Sequence, residues 1–340
     1  MDFQYTAADL EGLPRILVLA GPTGVGKTDL SLALAEALGG ELVSADSLQV
    51  YRHLDIGTAK VSHDERARIA HHLVDVLDPR EDFNVADFKA MANAAIADIL
   101  ARGKLPIVVG GTGLYIRILV HGLFEAPEPS AELRERYRQQ AGELGAEQLH
   151  ARLVQVDPEL AARVNANDLI RVTRGLEVFD QTGIPLSEHQ REHSFSKPSY
   201  NALKLALIRP RPELYGRIDA RVDAMMAQGL LEEYKALIAQ GFEPGLKPLR
   251  SLGYRQMGEH LFEDVGLEQA VAEIKRETRR YAKQQISWLR REPGVNWALA
   301  PILREGMIPA EVLADVRWFF EGGAPALEWA RVNTYAVSRD

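Results

Sequence analysis

A glycine-rich loop between an apolar segment and a helical segment constrains the fold of this chain more than any other feature. The loop matches the pattern G-x-x-x-x-G-K-[ST] over residues 21–28. Its glycines let backbone N–H groups approach phosphate oxygens, and the N-terminus of the following helix favours an anion. The pattern therefore predicts a diphosphate or polyphosphate site, without identifying ATP as the ligand. Its residues are Gly21, Pro22, Thr23, Gly24, Val25, Gly26, Lys27 and Thr28.

Two side chains of this phosphate loop have predicted roles in binding. Lys27 would neutralise the charge of a terminal phosphate, and the Thr28 hydroxyl would be a ligand of Mg²⁺. Mg²⁺ is the cofactor that the sequence indicates. The chain contains no cysteine, which excludes disulfides, thiolate nucleophiles, zinc–thiolate sites and Fe–S clusters.

Short apolar runs, which are typical of buried strands, alternate with helical patterns along the chain. This alternation predicts an α/β fold with a P-loop NTPase-like parallel sheet flanked by helices. Strands are predicted at 15–20, 41–46, 105–109 and 203–208, and helices at 28–38, 85–101, 212–228, 230–240 and 267–291.

The strand-like runs vanish between residue 131 and about residue 188, where the pattern is helical. We predict a helical insertion domain at 125–200, inserted into a catalytic core formed by 1–124 and 201–340. The proline-containing stretch 125–130 is typical of a linker, and Ser130 is a predicted N-cap.

Length and charge narrow the class of protein. The 340 residues are 46% hydrophobic and carry a net charge of −8, so a nucleic-acid-binding role needs a local basic patch. The N-terminus lacks the basic and apolar regions of a signal peptide, and the apolar runs are too short to span a membrane. We expect a cytoplasmic protein without a membrane partner, and nothing in the sequence demands more than a monomer.

Asp46 is the last residue of the second predicted strand, at the edge of the sheet where α/β proteins bind ligands. A carboxylate there can hold Mg²⁺ or accept a proton from a nucleophile. It can equally cap a helix or form a salt bridge, and the residue alone does not decide between these roles. The glycine-rich stretch 110–113 offers either a second close approach of backbone groups or only a tight turn.

Several short motifs follow the phosphate loop in a fixed order. Together with the loop they resemble the tRNA dimethylallyltransferase family over about residues 14–298. Each motif is weak alone, but the ordered set is specific. The motifs are Ser44-Ala-Asp46-Ser47-Leu-Gln49-Val-Tyr51, Asp55-Ile-Gly-Thr-Ala-Lys60, Val109-Gly-Gly-Thr112-Gly-Leu-Tyr115, Asp168-Leu-Ile-Arg171-Val-Thr-Arg174-Gly-Leu-Glu-Val178, Arg217-Ile-x-x-Arg221, Leu252-Gly-Tyr-Arg-Gln256 and Thr278-Arg-x-Tyr-Ala-Lys283-x-Gln285-x-x-Trp288-Leu-Arg290.

The resemblance implies transfer of a dimethylallyl group from dimethylallyl diphosphate to N6 of the adenosine at tRNA position 37, 3′ to the anticodon. The phosphate loop then binds the prenyl diphosphate. Asp46 would act as general base on N6, while Thr23 and Arg221, with Lys27, Thr28 and Mg²⁺, would stabilise the departing diphosphate. The target base would be flipped out of its stack to reach the carboxylate.

The resemblance also implies contacts with the tRNA anticodon stem-loop. Arg171 and Arg174 lie three residues apart on one predicted helix and could hold one stretch of RNA backbone together. Residues 275–291 contain seven basic residues and one acidic residue, which predicts an RNA-facing basic patch. The roles of Asp55, Thr58 and Lys60 stay open. The implied contact residues are Asp46, Ser47, Leu48, Gln49, Thr112, Arg134, Ile170, Arg171, Val172, Thr173, Arg174, Arg250, Ser251, Leu252, Gly253, Tyr254 and Arg255.

Three other functions share part of this pattern. A small-molecule kinase would share the phosphate loop but would need neither the helical insertion nor the basic helix. A prenyltransferase for free adenine nucleotides would not need the tRNA-matching segments 168–178 and 250–256. A non-enzymatic RNA-binding switch would tolerate Asp46→Asn, whereas the enzyme would lose turnover.

Overall fold

The computed structural model describes residues 5–122, 127, 130–193 and 198–337. Six strands and the helices around them alternate in chain order. The strands are β1 (Arg15–Ala20), β2 (Gly40–Ser44), β3 (His71–His72), β4 (Leu105–Gly110), β5 (Asn201–Ile208) and β6 (Val295–Leu299). The helices are α1 (Ala7–Leu10), α2 (Lys27–Leu38), α3 (His63–Arg68), α4 (Val85–Ala101), α5 (Gly113–His121), α6 (Ala131–Leu144), α7 (Ala146–Val156), α8 (Pro158–Ala161), α9 (Leu169–Thr182), α10 (Leu186–His193), α11 (Arg211–Gln228), α12 (Leu230–Ala239), α13 (Tyr254–Phe262), α14 (Leu267–Leu289), α15 (Ala310–Phe320) and α16 (Thr334–Val337).

The strands form one parallel sheet in the order β3-β2-β4-β1-β5-β6. β1 lies between β4 and β5, with Leu17 opposite both Ile107 and Leu203. Alternate residues of β1 enter the hydrophobic cores on the two faces of the sheet: Ile16 on one face and Leu17 on the other. A strand buried on both faces reads as a continuous apolar run, which is why the sequence located it. The predicted α/β fold, with a P-loop-like parallel sheet flanked by helices, is confirmed.

The loops after β1, β2 and β4 leave the same edge of the sheet, because parallel strands share their carboxyl ends. This edge carries the phosphate loop, the segment that contains Asp46 and the glycine-rich segment after β4. The second strand is shorter than predicted and ends at Ser44, so Asp46 lies in the loop beyond it. Helix α4 has the predicted bounds, whereas α14 ends at Leu289 rather than at residue 291.

Several elements were absent from the sequence prediction: β3, β6, α3, α5, α13 and α15. β3 has only two residues, and β6 is a partly exposed edge strand, so neither gives a clear apolar run. In the described residues, none of the helices combines the length and the apolarity needed to cross a membrane.

The chain divides into two compact units. The first, here called the core unit, comprises Met1–Val120 and Pro198–Asp340, and the second, the helical unit, comprises His121–Lys197. The predicted boundary at 124/125 and most of the predicted linker lie outside the described residues. Ser130 caps α6 as predicted, because its Oγ accepts a hydrogen bond from the Leu133 N–H at 3.2 Å. Tyr137, with Leu153 and Leu176, lies in the separate core of the helical unit.

Candidate active site

The phosphate loop connects β1 to α2 at the carboxyl edge of the sheet. Gly21 has a φ of 147°, and a Cβ atom there would lie 2.9 Å from the carbonyl oxygen of Leu207 on β5. A larger residue would therefore push the loop away from the sheet. Lys27 folds back over the loop, and its Nζ donates to the carbonyl oxygens of Gly21 and Pro22, both at 2.9 Å.

The charge balance inside the loop favours an anion. Burial, and then the nearby Arg221, lower the pKa of Lys27 to about 7, while Asp46 opposes both effects. Burial also lowers the pKa of Arg221, again against the opposing carboxylate of Asp46. Two buried cations face one carboxylate, so a bound anion would relieve their repulsion and restore the charge of Lys27.

Helix α11 holds the loop from the other side. The Arg217 Nε donates to the Gly24 carbonyl oxygen at 2.8 Å, and the next residue, Ile218, packs directly against Gly24. One turn later, Arg221 lines the cavity instead of lying on a solvated helix face. Arg209, which the sequence prediction missed, is 6% exposed and donates from its Nε to the Val25 carbonyl oxygen at 2.8 Å.

Asp46 lies in the loop after β2, and only one of its oxygens is used for structure. Oδ1 accepts hydrogen bonds from the N–H groups of Leu48 at 2.9 Å and Gln49 at 3.3 Å. Within the part of the chain that the structure describes, Oδ2 has no hydrogen-bonding partner. Because Asp46 lines the cavity, this oxygen is available to accept a proton from a bound ligand.

The segment after β4 packs closely on the Asp46 loop. A Cβ atom at Gly110 would lie 2.2 Å from the Ala45 carbonyl oxygen, so the two loops meet at a position that only glycine fits. The Thr112 N–H then donates to the same carbonyl oxygen at 3.3 Å. The stretch 110–113 therefore packs tightly on the Asp46 loop, while its predicted approach to a ligand stays a prediction.

Helix α14 ties the phosphate loop to the segment after β4. The Gln285 Oε1 accepts from the Thr23 N–H at 2.9 Å, and its Nε2 donates to the Gly111 carbonyl oxygen at 3.0 Å. Tyr281, one turn earlier, also lines the cavity, where desolvation of its hydroxyl and then the carboxylate of Asp46 raise the pKa of Tyr281 to about 12. Both residues lie in the motif that carried the resemblance, but sequence reasoning assigned no role to them.

These segments enclose one cavity of about 400 Å³, which is the size range of small-ligand sites. Apolar side chains of β2, β4, α11 and α14 form part of its wall, beside the polar groups. The lining includes the predicted residues Thr23, Lys27, Thr28, Asp46, Ser47, Leu48, Gln49, Arg221, Ser251, Leu252 and Gly253. It also includes polar residues that were not predicted: Ser31, Ser44, Thr58, His71, Thr278, Tyr281 and Gln285.

Three predicted tRNA-contact residues near residue 250 lie off the cavity wall. Arg250 and Arg255 are exposed, and Arg255 donates to the Glu259 carboxylate at 2.7 Å. Tyr254 is fully buried, and its hydroxyl donates to the Glu233 carboxylate at 2.6 Å. Its side chain therefore supports the fold of this segment and leaves external contact to its neighbours.

The helical unit contains the other predicted tRNA-contact residues. Ile170 and Arg171 are exposed on α9, whereas Val172 is fully buried in the core of this unit. Arg174 donates to the Glu177 carboxylate at 2.9 Å and to the Pro127 carbonyl oxygen at 2.7 Å. The guanidinium of Arg174 is thus bound within the protein. Arg174 would have to leave these partners to contact the same stretch of RNA backbone as Arg171.

Two further predicted residues of this unit have partners of their own. The Arg134 Nε lies 3.6 Å from the Glu177 carboxylate, although more than half of the Arg134 side chain is exposed. The Thr173 hydroxyl donates to the Leu169 carbonyl oxygen at 2.6 Å, which is an internal helix contact. Arg134 is therefore the more accessible of the two to an external ligand.

The basic segment of α14 is less positive than its sequence suggests. Lys275 and Arg279 pair with Asp223 and Asp219 of α11, so two of its charges serve to join the helices. Arg276 and Arg280 pair with acidic residues on α14 itself. Lys283 is exposed and has no acidic partner in the described residues. Fewer basic side chains of this segment are therefore free to contact RNA than the sequence predicted.

The donor set suits Mg²⁺ only in combination with a phosphate ligand. Among the described residues, no three histidine or acidic side chains come together as a metal cage. Thr28 lines the cavity beside the other residues of the phosphate loop. Mg²⁺ characteristically takes one or two protein oxygens and completes its coordination with substrate phosphates and water. The residues present fit that mode.

Comparisons with known proteins agree with this geometry. The chain matches the IPP transferase family over residues 49–292 and the isopentenyl transferase family over residues 14–73. A tRNA dimethylallyltransferase of Syntrophobacter fumaroxidans is 50% identical over 296 residues, covering 87% of this chain and 85% of the relative. A second, of Citrifermentans bemidjiense, is 51% identical and covers 86% of this chain and 94% of the relative.

Solved structures show the same likeness. The tRNA isopentenylpyrophosphate transferase of Bacillus halodurans is 37% identical, with a TM-score of 0.64 over 91% of this chain and 96% of that chain. A eukaryotic dimethylallyltransferase acting on tRNA is 28% identical, with a TM-score of 0.81 over 96% of this chain and 85% of that chain. The match in sequence and fold shows that this chain is a prenyltransferase that belongs to the IPP transferase family.

Proposed function

We propose that this chain transfers the dimethylallyl group of dimethylallyl diphosphate to N6 of adenosine 37 in tRNA, giving N6-isopentenyladenosine and diphosphate. One observation carries the proposal: Asp46, whose Oδ2 has no hydrogen-bonding partner among the described residues, lines the same cavity as Lys27, Thr28 and Arg221. A proton acceptor and a set of diphosphate-binding groups in one enclosed space are what such a transfer needs.

Asp46 supplies the base. The lone pair of N6 is delocalised into the purine ring, so the neutral amine is a weak nucleophile. As N6 attacks the allylic C1, one N6 proton passes to Oδ2 of Asp46, the N6–C1 bond forms and the C1–oxygen bond to diphosphate breaks. Oδ1 keeps its two backbone hydrogen bonds throughout, so the carboxylate is held in place while it takes the proton.

The phosphate loop and Arg221 stabilise the leaving group. Negative charge grows on the diphosphate as the C1–oxygen bond breaks, and Lys27 and Arg221 are buried cations that attract it. Thr23 is fixed beside them by Gln285. Thr28 would hold Mg²⁺, which neutralises diphosphate charge when bound.

The acceptor base must leave its stack to reach this cavity. The segment from Asp46 to Gln49, with Ser251 and Leu252, forms the wall that would face the flipped base and its neighbours. Exposed basic groups, such as Arg171 and Lys283, would contact tRNA phosphates. We further propose that the enzyme is a monomer that acts on tRNA in the cytoplasm.

A labelled-transfer assay tests the proposal. Purified protein, Mg²⁺ and unmodified tRNA are mixed with isotopically labelled dimethylallyl diphosphate, and ATP replaces the prenyl donor in a parallel tube. We expect label on tRNA without ATP, located at N6 of adenosine 37 after nuclease digestion. Absence of label on tRNA, with consumption of ATP in the parallel tube, would instead favour a kinase. A third tube contains the labelled donor with both AMP and tRNA, and label on AMP alone would refute tRNA as the acceptor.

A further inference from the structure

The carboxylate of Glu233, on α12, gathers four hydrogen bonds from a segment far away in sequence. It accepts from the backbone N–H groups of Asp55 at 3.0 Å, Ile56 at 2.8 Å and Gly57 at 3.2 Å. The fourth donor is the hydroxyl of Tyr254, at 2.6 Å. Three successive backbone donors on one carboxylate fix the path of that segment, because each bond is charge-assisted.

The packing around this anchor is close. A Cβ atom at Gly57 would lie 2.5 Å from the ring of Tyr254, so the backbone rests directly on the aromatic side chain. Burial, and then the carboxylate of Glu233, raise the pKa of the Tyr254 hydroxyl far above its ordinary value. The hydroxyl therefore stays protonated and remains a hydrogen-bond donor to Glu233.

The anchored segment is a wall of the catalytic cavity. Gly57, Thr58 and Ala59 line the cavity. The Gln49 side-chain amide lies 3.4 Å from both the Thr58 and the Ala59 carbonyl oxygens, and the Gln49 N–H donates to Oδ1 of Asp46. Hydrogen bonds thus run from Glu233 through the segment and Gln49 to the general base.

The other end of the segment is held separately. The Lys60 side chain is 1% exposed, and its Nζ donates to the Asp55 and Asp75 carboxylates, both at 2.6 Å. It also donates to the Tyr51 carbonyl oxygen at 2.8 Å. The segment is therefore pinned at both ends, and removal of Glu233 alone would free the cavity-facing part while Lys60 keeps the segment attached.

We propose that Glu233 is a positioning residue that acts through the backbone of residues 55–57. It fixes the cavity wall beside Gln49 and Asp46, where the acceptor base would lie. It contacts none of the phosphate-loop residues, so it supports reaction of the acceptor rather than binding of the prenyl diphosphate. The substrate assignment rests on the proposed function, whereas the anchor itself does not.

Amide hydrogen exchange tests the anchor without any substrate. We expect Glu233→Ala and Glu233→Gln to speed exchange of the amides at 55–57, because they lose a charged acceptor. Glu232→Ala is the matched control: the neighbouring side chain is 68% exposed and pairs only with Lys235 at 3.8 Å. Unchanged protection in both Glu233 variants would overturn the anchor.

Steady-state kinetics then tests the positioning role. In Glu233→Gln, which keeps one acceptor oxygen, we expect the KM for tRNA to rise and kcat/KM for tRNA to fall about 10- to 100-fold, the scale of a misplaced catalytic geometry. The KM for dimethylallyl diphosphate should stay within about twofold. Tyr254→Phe removes one of the four hydrogen bonds and should give a smaller change in the same direction.

The two substrates separate positioning from simple loss of structure. A purely structural role would reduce the active fraction and leave both KM values unchanged, which would overturn the proposal. Equal increases in both KM values would overturn it as well. A wild-type chain that transfers no prenyl group would refute the proposed function, whereas the exchange measurement by itself decides whether Glu233 anchors the segment.

Discussion

Replacing Asp46 with asparagine isolates the chemistry of this residue from its structural work. Oδ1 accepts the N–H groups of Leu48 and Gln49, and the asparagine carbonyl oxygen can accept both in its place. Oδ2, which has no partner in the described residues, becomes an amide NH₂ that cannot take a proton. The loop should therefore keep its conformation while the base is lost.

The expected magnitudes follow from this division. Removal of a general base lowers turnover by about 10²- to 10⁴-fold, which corresponds to about 3–5 kcal/mol of activation free energy. The free energy of unfolding should change by less than about 0.5 kcal/mol, because both loop hydrogen bonds survive. The KM for the prenyl diphosphate should stay the same or fall, since a negative charge near Lys27 and Arg221 is removed.

Single-turnover transfer to tRNA, urea unfolding and tRNA binding are measured on the same preparations. Asp46→Ala serves as the control, because it also orphans two backbone donors and should cost about 1–2 kcal/mol of stability more than Asp46→Asn. Full turnover in Asp46→Asn would refute the assignment of Asp46 as general base. Equal losses of stability in both variants would refute the view that Oδ1 alone supports the loop.

Three further predictions concern groups around the site and the sheet. Gln285→Glu keeps the acceptor for the Thr23 N–H but adds a negative charge beside the phosphate loop, so the KM for the prenyl diphosphate should rise about tenfold. The same change at the exposed neighbour, Gln284→Glu, should leave this KM within about twofold. Equal effects of the two variants would contradict the contact between Gln285 and the phosphate loop. Hydrogen bonds from Arg102 are the main reason why the pKa of Glu41 lies below its ordinary value of 4.5. The ionised Glu41 therefore stabilises the fold above pH 4.5, and this contribution is lost as the pH falls towards the pKa of the folded state. Glu41→Gln should therefore lower the free energy of unfolding by about 2 kcal/mol at pH 7 and make this free energy decline less steeply in acid. Asp98 also pairs with Arg102 but is 62% exposed, so Asp98→Asn should change the free energy of unfolding by less than about 0.5 kcal/mol. Equal changes in the two variants would contradict this account. Lys283→Ala should weaken tRNA binding and reduce the slope of log affinity against log salt by about one, and an unchanged slope in salt titrations would show that this lysine does not contact a phosphate.

The fold could be predicted because its information is local. A continuous apolar run, a glycine-rich turn and a helical pattern stand next to one another between residues 15 and 38, and their order alone indicates a strand, a phosphate loop and a helix. The same reasoning located β4, β5 and the long helices. It missed β3 and β6 because short edge strands bury little apolar surface and leave little trace in the sequence.

The phosphate-binding residues, Asp46 and Arg221 were identified from motifs, and the structure brings Thr23, Lys27, Thr28, Asp46 and Arg221 to one cavity. The motifs do not show which of the predicted side chains already form hydrogen bonds or ion pairs within the protein. The sequence gives Arg174 and Arg171 equal weight, but only the folded chain shows Arg174 bound to Glu177. The acidic partners that neutralise much of α14 come partly from α11, about 60 residues away along the chain.

The sequence by itself determined the fold class, the phosphate loop and the chemical types of group available at the site, because periodicity and contiguous motifs are properties of neighbouring residues. Only the tertiary structure decided that Gln285 bridges two loops and that Glu233 anchors the segment beside Gln49. Such contacts join residues separated by more than 170 positions. Their existence depends on distances of about 3 Å, which are set by the packing of helices on the sheet.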